Sequence, residues 1–261
     1  MKLFTKEELV EELRVIRAMG WVKNARPGND GGVGNTLEDL LGIEENNLPI
    51  PNAAEWELKC QRHDSNSLGT LFHIAPSPRS LRLLTTVLLP KYGWRHREAG
   101  LRYPETEMSF RQTLSSNSRS DRGFTIHMDR VQRKFSLSFD AQSVSARHVE
   151  WLSDVTAKVG LGELNPQPYW GFDDVIHKAG TKLGNCFFIV ARRKQEGGVE
   201  LFWYETMYML QGFSGDRLLQ AIEDGRVLID IDARTGHDHG PKFRVRQISD
   251  RCALYEKYVI I

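Results

Sequence analysis

The sequence predicts a mixed α/β fold in a single domain spanning residues 1–261, on three observations. Segments with a two-residue apolar period and segments with a helical period follow one another along the whole chain, the pattern of sheet and helix packed in layers. The composition, 40% hydrophobic and 26% charged, is that of an ordinary globular core and excludes disordered, collagen-like and disulfide-stapled classes. No apolar run approaches the roughly 20 residues needed to span a bilayer. The opening MKLFTKEELVEEL mixes acids into its first turns, so the expectation is no membrane partner and no secretory leader. The three cysteines, Cys60, Cys186 and Cys252, are far apart and form no CxxC pair, which suits a reducing, cytoplasmic compartment.

In chain order, Thr5 and Glu8 have the spacing of a capping box. Leu9, Leu13 and Ile16 recur at helical period, so the first element is a helix over residues 6–19, ended by Gly20. Residues 26–35 form a Gly-rich loop that feeds a second helix, with Thr36 and Asp39 spaced as N-cap and partner. Such a loop suits a phosphate at a helix N-terminus, but it lacks the GK[ST] ending and the strand-first GxGxxG order, which argues against NTP or NAD binding. Residues 55–60, EWELKC, alternate strictly and read as a half-buried strand with Trp56, Leu58 and Cys60 inward and Glu55, Glu57 and Lys59 outward. Further strands are expected over residues 124–128, 135–139, 186–190, 201–208 and 227–232. Helices are expected over 80–89, 172–179 and 214–224, the last capped by Ser214 and Gly225. Residues 115–123, SSNSRSDRG, read as a mobile loop. Trp151, Trp170, Phe187, Phe188 and Trp203 read as core, and His73 as a buried structural histidine.

The net charge of +1 hides a segregation. Residues 1–60 hold 7 basic and 11 acidic side chains, whereas residues 79–134 hold 12 basic and 5 acidic. Of the 35 basic residues 23 are arginine, whose rigid fork suits phosphate and the guanine edge. One basic face for a nucleic acid is one reading; a solvated Arg-rich surface is the other. Arg79, Arg82, Lys91, Arg95, Arg97 and Arg102 are better suited to phosphates than to bases.

The segment with the most chemistry is PNAAEWELK, residues 51–59. On a strand Glu57 and Lys59 point the same way, about 6 to 7 Å apart along the chain, so a cation and a lysine can share one phosphate. Glu57 is a ligand for a hard cation such as Mg²⁺, with the Leu58 carbonyl as a second oxygen. Lys59 can hold the attacking water or offset developing charge. The same triplet also occurs as a plain surface ion pair.

GNDGGVGNTLEDLLGIEENNLPIPNAAEWELK, then SLGTLFHIAPSPR, then GHDHGPKFRV, taken together and in that order, resemble the MvaI/BcnI family of type II restriction endonucleases, which are PD-(D/E)XK nucleases close in fold to the mismatch-repair nickase MutH. The resemblance spans most of the chain. It implies a MutH-like PD-(D/E)XK fold, with room for a catalytic lobe and a smaller DNA-recognition lobe forming a DNA cleft. It also implies a Mg²⁺-dependent, sequence-specific double-stranded DNA endonuclease that leaves 5′-phosphate and 3′-hydroxyl ends. Glu57 and Lys59 take the acidic and basic places of the catalytic triplet, and Glu38 falls where related nucleases place an accessory acid. The family's first catalytic Asp falls at Asn52, five residues before Glu57, where the charge is missing and Glu55 or Glu38 would have to supply it. The metal set is then Glu57, Asn52 and Glu55.

The resemblance also brings the loop His237, Asp238, His239 and Gly240 towards DNA with Lys242 and Arg244, and the preceding strand adds Asp230, Asp232 and Arg234. Arginine suits guanine, and a carboxylate accepts from cytosine N4. A zinc site on the two histidines would need ligands that nothing in the sequence supplies. Family members act as monomers on short GC-rich sites, one strand per binding event, and a restriction enzyme implies a companion DNA methyltransferase. Two rivals are a MutH-like nickase and a DNA-binding protein whose active site is impaired at Asn52.

Overall fold

The structure, a computed structural model, describes residues 4–29, 31–43, 56–65 and 67–261. In chain order the elements are α1 (Lys6–Ala18), β1 (Val22–Lys23), α2 (Gly32–Leu41), β2 (Glu57–Arg62), β3 (Gly69–His73), α3 (Leu89–Tyr92), β4 (Trp94–Arg95), β5 (Met108–Leu114), β6 (Arg122–Asp129), β7 (Lys134–Val144), α4 (Val149–Val159), β8 (Tyr169–Gly171) and α5 (Phe172–Leu183). They continue with β9 (Asn185–Glu196), β10 (Val199–Phe213), α6 (Gly215–Glu223), β11 (Val227–Arg234), β12 (His237–Asp238), β13 (Lys242–Val245), α7 (Ile248–Cys252) and β14 (Tyr255–Ile260). The chain divides into two compact units: residues 1–69, 179–217 and 247–261 form the first, and residues 70–178 and 218–246 the second. Among the described residues no helix is long and apolar enough to cross a membrane.

The first unit is built on a mixed five-stranded sheet in the order β1-β10-β9-β2, with β14 also paired to β10. β2 runs parallel to β9, with Glu57 beside Cys186, Lys59 beside Phe188 and Leu58 beside Phe187. Alternation therefore sorts β2 by face. Trp56 and Leu58 join Phe187, Ile189 and the apolar stripes of α1 (Leu9, Leu13, Ile16) and α2 (Val33, Leu37, Leu41) in one core cluster. Each fully buried side chain of this kind contributes about 1.5 to 3 kcal/mol. Trp56 packs on Phe187 at 4.5 Å between ring centroids.

α1 starts as expected: the Glu8 N–H donates to Thr5 Oγ1 at 3.2 Å, and the Thr5 N–H donates to Glu8 Oε2 at 2.8 Å. α2 does not. Thr36 is no cap, because the helix begins at Gly32 and carries Thr36 inside it, where Oγ1 accepts from the Ala25 N–H at 3.1 Å and Asp39 pairs with Arg26 at 2.9 Å. Residues 32–35 of the Gly-rich run are thus the first turn of the helix. Gly32 is required because a Cβ there would meet the Asn24 amide at 2.9 Å. That amide is held in place by Glu200, the Arg26 N–H and Thr36.

The second unit holds a six-stranded sheet in the order β3-β13-β11-β5-β4, with β12 on β11, and a three-stranded sheet β6-β7-β8. Its interior is aromatic: Phe110, Phe124 and Phe139 meet Trp151 and Tyr92, and Phe72 stacks on Phe243 at 4.6 Å. The helix expected over 80–89 is a 3₁₀ turn (Arg79–Leu81), a π-helical turn (Leu84–Leu88) and then α3. The small polar residues that suggest a mobile loop over 115–123 instead fasten it: Ser116 Oγ donates to the Glu223 carbonyl at 2.8 Å and Asn117 Nδ2 to that of Asp224 at 3.0 Å. His73 is exposed rather than buried, because Leu71, Phe72 and Ile74 already fill the interior positions around it. Trp151, Trp170, Phe187 and Phe188 are core, whereas Trp203 is only partly buried and donates its indole N–H to the Arg17 carbonyl at 3.2 Å.

Candidate functional site

In the first unit the polar face of β2 is not a solvent face. Glu57 is 1% exposed, which corrects the expectation of an outward-facing carboxylate. The reason lies in the elements over that face. Register sets Cys186 and Phe188 of β9 beside Glu57 and Lys59. The Arg251 guanidinium, from α7, lies over the Phe188 ring at 4.5 Å and is itself 2% exposed. Tyr255, at the start of β14, is also buried.

Lys59 Nζ donates to Glu57 Oε1 at 2.5 Å. Glu57 Oε2 is buried with no hydrogen-bond partner, and the nearest recorded cation is Lys182 Nζ of α5 at 3.9 Å. A buried carboxylate oxygen without a donor is costly unless a charge completes it. This orphan oxygen fits a hard divalent cation, which takes carboxylate and carbonyl oxygens. Among the described residues no group of three or more His, Cys, Asp or Glu is placed to hold a metal. Two of the expected ligands, Asn52 and Glu55, lie outside the described residues.

Burial pushes up the Cys60 thiol, with a smaller push from the Glu38 charge on α2, and Cys60 belongs to the Trp56 side of β2, packed against the α1–α2 core. Burial also pushes the Cys186 thiol up to about 11, although Arg251 and Lys59 pull against it. Neither thiol is ionised near neutrality, which leaves no cysteine nucleophile at this site. The chemistry on offer is one hard oxygen ligand beside ammonium groups.

In the second unit, the expected DNA-reading residues gather on one face of the six-stranded sheet. In β11 the side chains of Asp230, Asp232 and Arg234 point the same way, and register adds Thr113 and Lys242 beside Asp230 and Arg111 beside Asp232. Arg244 Nη1 donates to Asp230 Oδ2 at 2.7 Å, and Thr113 Oγ1 to Asp230 Oδ1 at 2.9 Å. Asp230, 7% exposed with both oxygens engaged, therefore orients Arg244 and is not free to read a base. Arg234 Nη1 donates to the buried Glu107 at 2.9 Å and lies over the Tyr103 ring at 4.6 Å. His237, Asp238 and His239 are exposed, with the two Nε2 atoms 3.0 Å apart and Asp238 Oδ1 accepting from the Gly240 N–H at 2.7 Å.

Of the arginines and lysines expected to meet phosphate, Arg79 pairs with Asp174 at 3.6 Å and Arg95 with Glu105. Three side chains escaped the sequence reading: Lys182 and Arg251 in the first unit and the exposed Arg111 in the second. No local signal marks them. Each reaches its place through pairing or packing between segments distant in sequence.

The sequence profile of the MvaI/BcnI restriction endonuclease family matches residues 10–255. A solved complex of the restriction endonuclease MvaI with its cognate DNA superposes with a TM-score of 0.76 at 23% identity, covering 98% of this chain and 99% of that one. MvaI without DNA superposes with a TM-score of 0.55 at 24% identity over the whole of both chains. No curated protein matches.

Proposed function

Since the chain belongs to the MvaI/BcnI restriction endonuclease family, and is thus a type II site-specific deoxyribonuclease acting on DNA with a divalent metal, we propose that its first unit is the catalytic part and its second unit the recognition part. Mg²⁺ is the proposed metal, Glu57 its first ligand through Oε2, and Asn52 and Glu55 the further oxygen donors, with Glu38 as the remaining accessory acid. The observation that carries this reading is the buried Glu57 carboxylate, one oxygen on Lys59 and the other without a donor.

When bound, the cation supplies the positive charge that polarises the phosphate and eases loss of a proton from water. Lys59 holds the attacking water in line with the scissile bond and offsets the charge that grows on the phosphoryl oxygens. Burial of Glu57 keeps the carboxylate in one orientation. Attack at phosphorus with departure of the 3′ oxygen leaves 5′-phosphate and 3′-hydroxyl ends. On the second unit, Arg244, held by Asp230, and Arg234, Lys242, His237, Asp238 and His239 contact the duplex. The protein acts as a cytoplasmic monomer, one strand per binding event, beside a methyltransferase that protects the host DNA.

The test is plasmid DNA incubated in Mg²⁺, in Ca²⁺ and in EDTA. Discrete fragments in Mg²⁺ alone, preceded by open circles, are expected; open circles that never resolve favour a nickase. Glu57→Ala should abolish cutting by at least a thousandfold while Ca²⁺-supported retention of DNA in a gel persists. Asn52 favours a second reading, in which DNA binding outlasts cleavage. Asn52→Asp should then raise the Mg²⁺-dependent rate, and an unchanged or lower rate would remove Asn52 from the metal set.

A further inference from the structure

In the second unit the β6–β7 ladder breaks beside Arg122: the register shifts between Arg122 and Phe124, and Gly123 between them has φ +76°. A Cβ at Gly123 would run into the Asp140 carbonyl, so only glycine fits. Breaks of this kind re-aim the neighbouring side chain. Here the guanidinium of Arg122 comes to lie over the Trp94 ring at 4.0 Å and reaches the Trp151 ring at 5.4 Å. Stacking on an indole holds the planar fork in one orientation. Its Nε is buried without a hydrogen-bond partner, and among the described residues no oxygen is bonded to its Nη atoms. Burial holds this guanidinium below its ordinary value; the Asp121 charge works against that and the Arg147 charge adds to it. Asp121 is already engaged, since its Oδ2 meets His148 Nε2 at 2.7 Å and pairs with Arg147. Arg147 uses Nη2 on that carboxylate and is otherwise 68% exposed.

We propose that Arg122 and Arg147 form a binding site for a phosphate oxyanion, with Arg122 as the fixed fork and Asp121 as the residue that positions Arg147. A phosphate brings paired acceptor oxygens to a guanidinium edge and supplies the charge-assisted bonds that the protein itself leaves out. A lid over two indoles would need only the apolar stem of the arginine, not a charge without acceptors. On the reading of the second unit as the recognition part, on which this assignment of the source rests, the phosphate is one of the DNA backbone. The site uses none of the β11 residues, so it positions the duplex without reading its bases.

The experiment has two arms on the full chain. In the first, inorganic phosphate is titrated at constant ionic strength, with chloride as the control anion, and the indole N–H signals of Trp94 and Trp151 are followed by NMR. Phosphate should move them in wild type, and Arg122→Gln and Arg147→Gln should each weaken that binding about tenfold, the scale of one charge-assisted hydrogen bond. Arg122→Lys keeps the charge without the fork and should stay weak; full recovery overturns the fixed fork. In the second arm a labelled duplex is bound in Ca²⁺. Each Gln variant should flatten the log–log salt slope by about one unit. A single methylphosphonate at the contacted position should weaken binding by wild type and leave Arg122→Gln unaffected. Phosphate binding lost in both variants with an unchanged salt slope supports the site and overturns DNA as its source. Phosphate binding unchanged in both variants, or signals that chloride moves equally, overturns the site. If wild type retains no DNA at low salt, the DNA reading itself fails, and the phosphate arm still decides the site. Should Arg122→Gln melt far below wild type, the mostly exposed Arg147 decides: unchanged phosphate binding in Arg147→Gln overturns the proposal.

Discussion

A carboxylate and an arginine that read as two independent DNA contacts in the sequence become one device in the structure. Asp230 accepts from Arg244 at 2.7 Å and from Thr113 at 2.9 Å, and nothing of the carboxylate is left for a base. Removing it by Asp230→Ala leaves a mostly buried guanidinium without its partner. The expected cost is about 3 kcal/mol, seen as a shift in the urea midpoint, with DNA affinity falling as well because Arg244 loses its orientation. Unchanged stability would show the pair to be ornamental. Glu57 carries the same lesson. Its identity and two-residue spacing from Lys59 are visible in the sequence, but its burial is not, since that depends on α7 arriving some 190 residues later.

Among the elements, strands were the more legible. Alternation over residues 55–60 and the apolar run at 186–190 identify β2 and β9, because a strand's pattern is set by residues two apart. Helix starts were legible where a side chain caps them, as at Thr5, and not where backbone geometry does so, as at Gly32. The segment before α4 shows how a turn is held by charge. Asp121 accepts from His148 at 2.7 Å and also pairs with Arg147, while its carbonyl accepts from the Ser145 N–H at 2.9 Å. Partial burial pushes the Asp121 carboxyl up, but the bonds from His148 and Arg147 outweigh it and hold the carboxyl below its ordinary value. A folded-state value lower than the unfolded one means stability that is fully present above the ordinary aspartate range and is lost as pH falls through the depressed value. Asp121→Asn should therefore lower the melting temperature at pH 7 and narrow its gap to wild type as pH drops below about 4, by the ordinary aspartate range. A gap that widened with acid would contradict the assignment.

For the molecule as a whole, the balance of +1 divides between the units. The first holds 15 basic and 18 acidic side chains and the second 20 and 16, or −3 and +4. The acids thus accompany the proposed metal ligand and the bases accompany the proposed recognition face. DNA binding in Ca²⁺ should weaken steeply with salt, with a log–log slope of about −0.9 per phosphate contact. Lys242→Ala and Arg111→Ala should each flatten that slope by about one unit if the residue meets phosphate. A slope near zero would remove the electrostatic footprint on which the recognition face rests.

The class of fold is legible in periodicity and the Glu57–Lys59 pair in its two-residue spacing, both of which survive in one dimension, whereas the family is legible only as a resemblance carried by three motifs in order. The sequence also set the departure at Asn52. Which charges are buried, which are spent on one another, and which cations approach Glu57 follow from long-range packing instead. Lys182, Arg251 and Arg111 lie far in sequence from the groups they serve. Their roles come from β2 pairing with β9, from α7 covering that face, and from β5 pairing with β11, and long-range contacts of this kind leave no trace in local pattern.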